Sequence, residues 1–214
     1  MTHATEAYTS NFANDYTDGI ALQTIKLVFQ YLEKSVKTAD PEAREKMHNA
    51  STMAGMAFAN AFLGMSHSMA HKIGGVHHTV HGRTNAILLP YVIRYNGTRP
   101  SKTTTWPKYN YWKADEKFQD IAKMLGLPHS TPEEAVEAYA KAVYDLGVAV
   151  GIKMNFKDQG IDEKTWKDSL HEIALLAYED QCSPANPRLP MVADMEEIMA
   201  DAYHGYAKKP GRRK

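Results

Sequence analysis

The sequence has very little cysteine and no long hydrophobic run. Cys182 is the only cysteine in 214 residues, so no disulfide can form within the chain, which favours a reducing, cytoplasmic compartment. No segment approaches the ~20 consecutive apolar residues of a membrane-spanning helix. The first residues also lack the basic and apolar regions of a signal peptide. These absences predict a cytoplasmic protein without a membrane partner.

Neither sign of charge is in excess. The chain carries 25 basic and 25 acidic residues, so it has no overall field that would attract nucleic acid. Its length and its 43% apolar residues allow one sizeable domain or two small ones. Only the end of the chain is strongly basic, and we expect residues 207–214 to be a disordered, solvated tail.

Apolar residues recur with the period of an α-helix along most of the chain. One helix is predicted to begin near Asp15. A second begins at Asp40-Pro41, a typical cap and first residue, and extends towards Lys72, with or without a break. Further helices are expected over 84–95, 114–125, 132–150, 162–179 and 190–204. The first of these is expected to bend or end near Pro90. Few stretches alternate as strands do, so the predicted fold class is all-α.

The segment Ser51–Met69 is rich in Ala, Gly and Met, with apolar residues on nearly all sides. This pattern predicts a helix buried in the middle of a bundle. Gly74 and Gly75 are expected to end that helix. Three more glycines stand where a C-terminal glycine stop is expected, namely Gly126, Gly151 and Gly205.

Five of the ten histidines lie between Ser66 and Arg83. His67 and His71 are four residues apart, so on a helix they share one face. Imidazole is both a common metal ligand and an acid–base group near neutral pH. The pair lacks the glutamate of the zinc-protease motif, which excludes that class. The alternative is that these are polar residues at a helix end, which we expect of His77 and His78.

Two segments carry a specific motif: Gly55-Met56-Ala57-Phe58 through His67-Ser68-Met69-Ala70-His71, then His81-Gly82 with Asn85-Ala86 and Leu88-Leu89-Pro90. The opening residues add Thr2-His3-Ala4-Thr5-Glu6-Ala7-Tyr8. Together they resemble the signature of iron-containing (group III) alcohol dehydrogenases. The sequence is still more similar to the C-terminal part of bifunctional aldehyde–alcohol dehydrogenases, on four further segments: Asn49–Gly55, Val92–Asn96, Trp106–Tyr109 and Asp180–Arg188.

The resemblance implies a helical bundle like the C-terminal, metal-binding domain of that family, whose fold is dehydroquinate synthase-like. In the family, one aspartate and three histidines bind a single divalent metal, usually Fe²⁺ and sometimes Zn²⁺. Carried over by motif, the metal ligands are His3, His67 and His81. His71 matches a histidine close to the substrate and the nicotinamide, with a catalytic role in proton transfer or orientation. The implied reaction interconverts acetaldehyde, or another short aldehyde, and the primary alcohol with NAD.

Two parts of the family pattern are absent from this sequence. One is the aspartate four residues before His3, and the other is a Gly-x-Gly-x-x-Gly turn in a βαβ unit. We therefore expect a truncated, metal-binding half of the enzyme without the nucleotide-binding α/β domain. NAD would bind only in the complete enzyme, and this chain alone would be inactive. Exposed apolar surface would favour a homo-oligomer or association with an N-terminal nucleotide-binding portion.

Two rival hypotheses stay open beside the enzymatic one. In the first, the chain is an inactive remnant or an assembly module that works only beside a separate partner. In the second, it is a different metal-binding helical protein that uses the same histidines.

Several other residues have both a functional and a structural interpretation. Five of them flank the histidines: Glu6, Asn60, Lys72, Arg83 and Asn85. Each is either a polar residue of the pocket or an ordinary helix-solvating residue. The aromatic segment 106–112 is predicted to serve in packing or in a protomer contact rather than in substrate binding. Cys182 follows two acidic residues and is predicted to be structural.

Overall fold

The computed structural model describes residues 1–100 and 112–205. Within these residues the chain forms nine α-helices and one short 3₁₀ helix, Ser183–Ala185, and no strand. The α-helices are α1 (Thr2–Thr9), α2 (Asp15–Thr38), α3 (Pro41–Ala61), α4 (Met65–His77), α5 (His81–Asn96), α6 (Ala114–Leu125), α7 (Pro132–Ala149), α8 (Glu163–Tyr178) and α9 (Val192–His204). The all-α prediction is confirmed. The basic tail and all of the aromatic segment except Trp112 lie outside the described residues.

The helix starts follow from side chains that satisfy the free N–H groups of the first turn. Asn14 accepts hydrogen bonds from the backbone N–H groups of Tyr16 and Thr17 at the start of α2. Asp40 does the same for Ala43 at the start of α3, where Pro41 is the first residue. The predicted starts of these two helices are confirmed.

The expectation of one buried helix through Ser51–Met69 is wrong. The chain breaks between α3 and α4, where Phe62 has a φ of 62° and Gly64 precedes the first residue of α4. α3 buries only a narrow alanine face and leaves Met56 55% exposed. α4 is the buried helix, because it packs against both α5 and α8.

The predicted helix ends around the glycine pair are also wrong. Gly74 and Gly75 lie inside α4, which continues to His77 and ends at His78 with a φ of 53°. α5 then begins at His81 and runs through Pro90 to Asn96 without ending there. A glycine costs a helix only ~1 kcal/mol, so the packing of α4 against its neighbours outweighs it. The expected glycine stop is confirmed at Gly126, which caps α6 with a φ of 68°.

Two hydrophobic clusters fill the described part of the molecule. One joins α4, α5, α8 and α9, and the other joins α1, α2, α3, α6 and α7 with one face of α5. α5 belongs to both, because Leu88 and Val92 face the first cluster while Leu89 and Ile93 face the second. None of the described helices is both long and apolar enough to cross a bilayer.

A buried pair of asparagines links α1, α4 and α5. The Asn186 and Asn96 side chains exchange hydrogen bonds of 2.7 and 3.2 Å. Asn186 Oδ1 also accepts from the backbone N–H of Met65, at the start of α4, at 3.2 Å. The backbone oxygen of Asn186 accepts from Asn11 Nδ2, in the loop after α1, at 2.8 Å. The side chain and the backbone carbonyl of Asn186 therefore fix the point where α4 begins.

Replacing Asn186 by alanine tests this link. The variant leaves the amide of Asn96 and the Met65 N–H buried without their partner, and each such group costs about 1–3 kcal/mol. We expect Asn186→Ala to lower the free energy of unfolding by about 2–4 kcal/mol in urea denaturation. The control is Asn49→Ala, an exposed position within α3, which should change it by less than about 0.5 kcal/mol. Equal stabilities for the two variants would contradict the assigned role.

Candidate metal centre

Three histidines from three helices converge at one point. His3 lies on α1, His67 on α4, and His81 is the first residue of α5. One ring nitrogen from each lies within 4.8 Å of the others. The ring of His67 is 4.5 Å from that of His3 and 5.4 Å from that of His81, between centroids. The structure thus brings together the three residues predicted as metal ligands.

The orientation of His67 is set by Glu6, three residues after His3. Glu6 Oε2 lies 2.5 Å from His67 Nδ1, and both side chains are almost fully buried. Glu6 Oε1 accepts from the backbone N–H of Ser66 at 2.7 Å. Because a carboxylate accepts hydrogen bonds, the proton of the neutral imidazole lies on Nδ1. The lone pair of His67 is then on Nε2.

His67 Nε2 is buried and has no hydrogen-bond partner among the described residues. A buried polar atom without a partner is costly and needs an explanation. A divalent cation would supply it, since imidazole nitrogen is a common ligand of Zn²⁺ and Fe²⁺. A carboxylate that receives the second N–H of a metal-binding histidine is also the usual supporting contact. The residues present therefore fit a cation.

Burial disfavours the charged form of two of these imidazoles, His3 and His81. Burial, together with the nearby His67, lowers the pKa of His3 to about 4. Burial and the neighbouring His67 and His71 also lower the pKa of His81. Neutral imidazoles keep the lone pairs that a metal requires.

Asn85 lies one helical turn after His81 and connects it to α4. Its Nδ2 is 3.2 Å from His81 Nε2, and its Oδ1 accepts from Ser66 Oγ at 3.1 Å. A cation bound through either ring nitrogen of His81 would end this contact, because Nε2 would then be either metal-bound or an N–H and could not accept from the amide. Glu6 and Asn85, whose roles the sequence left open, are therefore both in contact with the cluster.

His71, the predicted catalytic residue, stands beside the cluster. Its ring stacks on that of His81, with 5.4 Å between centroids and 12° between planes, and it lies 6.1 Å from the ring of His67. Its Nδ1 is 3.2 Å from Asp180 Oδ2. Asp180 also receives Lys72 Nζ at 2.9 Å. Sequence spacing could not single out Asp180 as a partner of His71, because only the tertiary fold brings it to α4.

Three other residues with two interpretations have structural surroundings, namely Asn60, Cys182 and Trp112. Asn60 donates to the carbonyl of Met56 in its own helix and is exposed, as expected of a helix-solvating residue. Burial, with Asp180 as a further cause, raises the pKa of Cys182 to about 12, which keeps its thiol protonated. Trp112, the described end of the aromatic segment, donates from Nε1 to the carbonyl of Asn96 at 3.1 Å.

A cavity of about 240 Å³ opens onto the three imidazoles. Its other walls are largely apolar side chains of α2, α5 and α7, including Leu32, Leu89 and Val143. A larger cavity of about 340 Å³ is lined by His77, His78 and Arg83 among others, and by none of the three converging histidines. Of these two cavities, the smaller one combines the three histidines with an apolar wall.

The fold and the site together define a helical domain in which three histidines converge, a set of residues that fits a divalent cation. Residues 1–203 match the family model described as "Fe-containing alcohol dehydrogenase family, C-terminal". The chain belongs to this family and corresponds to its C-terminal domain.

Two curated relatives have similar sequences. The chain is 76% identical over all of its 214 residues to the aldehyde-alcohol dehydrogenase of Streptococcus pneumoniae serotype 2 (strain D39 / NCTC 7466), of which it covers 24%. It is 58% identical over 207 residues (97% of the chain) to aldehyde-alcohol dehydrogenase 2 of Entamoeba histolytica (strain ATCC 30459 / HM-1:IMSS / ABRM), again covering 24%. The chain thus spans about a quarter of the length of these relatives.

The fold is also that of solved members of the family. A crystal structure of 1,3-propanediol oxidoreductase superposes with a TM-score of 0.82 at 36% sequence identity. The match covers 94% of this chain and 49% of the other. The observed helices therefore form the domain that the resemblance implied.

Gly64 allows the close approach of α1 to the start of α4. A Cβ atom at this position would lie 2.7 Å from Asn186 Oδ1 and 3.0 Å from Glu6 Oε1. Both oxygens accept hydrogen bonds from the first turn of α4. A side chain at Gly64 would therefore push apart the groups that position His67.

Alanine substitutions at two glycines should have opposite effects. We expect Gly64→Ala to destabilise the chain by about 1–3 kcal/mol, the usual cost of forcing extra atoms into a packed interior. The control is Gly55→Ala within α3, where no atom lies within 4 Å of the added Cβ. Alanine there should stabilise by about 0.5–1 kcal/mol through its higher helix propensity. Urea unfolding measures both changes, and a neutral Gly64→Ala would contradict the packing described.

Proposed function

We propose that this chain is the metal-binding portion of an NAD-dependent, iron-containing alcohol dehydrogenase that interconverts a short aldehyde and its primary alcohol. The observation that carries the proposal is the partnerless, buried Nε2 of His67 beside ring nitrogens of His3 and His81. The names of the relatives support the substrate class, aldehyde and alcohol.

In this proposal His3, His67 and His81 hold one divalent cation, Fe²⁺ or Zn²⁺. Bound there, the cation supplies Lewis-acid polarisation of an aldehyde or alcohol oxygen. Glu6 fixes the tautomer and the ring direction of His67 through the 2.5 Å contact and makes that imidazole a better donor. Asn85 Nδ2, which lies 3.2 Å from His81 Nε2 within α5, would have to give up this contact when the cation binds.

The apolar side of the cavity would hold the carbon chain of the substrate. Its volume of about 240 Å³ lies below the ~300–1,000 Å³ of pockets for drug-sized ligands, which suits a short aldehyde. Leu89 and Val143 would exclude water from the reacting carbon. His71, next to His81, would orient the oxygen of the substrate.

The hydride carrier must come from outside the residues described. These form helices only, whereas a dinucleotide-binding turn follows a β-strand. We therefore propose that NAD is held by the N-terminal part of a longer polypeptide or by a separate partner with that fold. The relatives, about four times as long as this chain, provide room for such a part.

Metal affinity tests the three ligands. We expect the chain to bind one Zn²⁺, and under anaerobic conditions one Fe²⁺ more weakly, in line with the general order of metal affinities. His3→Ala, His67→Ala and His81→Ala should each abolish this binding in competition with a chromogenic chelator. Glu6→Gln should weaken it by about 10–100-fold. The control is His48→Ala, an exposed position of α3, which should bind as the wild type does. Unchanged affinity in His67→Ala would refute the site.

An assay of hydride transfer tests the reaction. We expect the purified chain, loaded with Fe²⁺, to leave NADH unchanged in the presence of acetaldehyde, because it cannot hold the nucleotide. A chimera, in which this chain is joined to the preceding residues of the Streptococcus pneumoniae relative, should oxidise NADH with acetaldehyde. His67→Ala should abolish that activity.

The outcome of this assay also separates the rival hypotheses. NADH oxidation by the isolated chain would overturn its predicted inactivity. A chimera that binds metal but stays inactive would favour a remnant or assembly module. Activity with a substrate other than a short aldehyde would overturn the substrate assignment. The cytoplasmic location and the homo-oligomeric state stay predictions.

A further inference from the structure

Asp180 is a buried carboxylate that binds two neighbouring side chains of α4. Its side chain is only 6% exposed. Oδ2 is 3.2 Å from His71 Nδ1 and 2.9 Å from Lys72 Nζ. Oδ1 accepts from the backbone N–H of Cys182 at 3.0 Å. Both oxygens of one carboxylate thus have donors, and one of these is the imidazole beside the cation site.

This group of residues is a hydrogen-bond network rather than a second metal site. His71, Asp180 and Cys182 do offer ligand atoms within 4.8 Å of one another. The ammonium group of Lys72, however, already pairs with Asp180 Oδ2 and would repel a cation. The thiol of Cys182 has its pKa raised to about 12 by burial first and by Asp180 next, whereas a metal binds the thiolate.

Asp180 stays ionised in this environment. Burial alone would raise its pKa, but hydrogen bonds from Lys72, from the Cys182 N–H and from His71 outweigh burial and hold the pKa below its usual value. An ionised carboxylate can only accept hydrogen bonds. The nitrogen that faces it must therefore be the protonated one.

We propose that Asp180 is a positioning residue that holds His71 as the Nδ1–H tautomer. The other ring nitrogen, Nε2, is then left as an acceptor on the imidazole that stacks on His81. An acceptor there takes the hydrogen bond of an alcohol hydroxyl, so Asp180 acts on the substrate through His71. This inference rests on the proposed function for its substrate, but the tautomer is a property of the chain itself.

The same carboxylate also connects the turn after α8 to α4. The test must therefore distinguish an effect on the His71 tautomer from a loss of structural stability. Asp180→Asn does so. Its amide keeps the shape of the side chain, and its oxygen can still accept from Cys182 N–H. The NH₂ group then faces His71 Nδ1 and donates to it. We expect His71 to change to the Nε2–H tautomer without loss of the fold.

The measurement is ¹⁵N NMR of the histidine rings in mildly alkaline buffer, on the metal-free chain. His71→Gln identifies the signal of His71. In the wild type, Nδ1 should resonate as a protonated, pyrrole-type nitrogen. In Asp180→Asn it should move to the pyridine-type region. Two control variants should keep the pyrrole-type signal of His71 Nδ1. Lys72→Met removes the other donor to Asp180 Oδ2, and Asp168→Asn makes the same chemical change at an exposed position of α8.

A kinetic arm uses the active chimera. Asp180→Asn should lower kcat/KM for the alcohol by between about 10-fold and 10⁴-fold, the upper value being that of the corresponding change in a serine-protease triad. KM for NAD⁺ should stay the same, and Asp168→Asn should leave kcat/KM unchanged. A purely structural role would lower the folded fraction instead and leave the tautomer as it was.

The two proposals fail in different ways. A pyridine-type Nδ1 in the wild-type chain overturns the role of Asp180, whatever the stability of Asp180→Asn, and says nothing against the cation site. A chain that binds no metal but has a pyrrole-type Nδ1 at His71 overturns the proposed function and keeps the tautomer. An unchanged tautomer in a folded Asp180→Asn also overturns the inference.

Discussion

The contact between Glu6 and His67 is the constraint on which the site depends. Two polar side chains, both almost fully buried, would be costly in an apolar interior unless each had its partner. Glu6 finds donors in His67 Nδ1 and the backbone N–H of Ser66, so α1 can lie only where α4 begins. His3, one turn earlier on α1, is thereby brought against the ring of His67. A single carboxylate thus joins two of the three predicted ligands.

The centre lies where the two halves of the hydrophobic interior meet. α4 belongs to one cluster and α1 to the other, while α5 lies between them and contributes to both. Asn186 reinforces this junction, because it binds the start of α4 and the end of α5. The convergence of the three histidines therefore depends on the packing of the two clusters, since each of the three lies on a different helix.

Local patterns predicted those features that depend on a few neighbouring residues. The cap at Asp40, the stop at Gly126 and the shared face of His67 and His71 are of this kind. The prediction failed where tertiary packing outweighs propensity, as at Gly74, which lies inside α4. Glu6 could be suspected from its position near His3, but its partner is 61 residues away. Asp180, 109 residues from His71, could not be found from spacing, since only the fold sets that distance.

The location of a bound cation tests the central claim most directly. A crystal of the chain grown with Zn²⁺ and measured at the zinc absorption edge should contain one strong anomalous peak among the described helices. That peak should lie about 2.0–2.1 Å from ring nitrogens of His3, His67 and His81, with Nε2 as the ligand atom of His67 and Glu6 still on Nδ1. A peak on other residues, or a fully loaded crystal in which His67 Nε2 has no metal, would contradict the account.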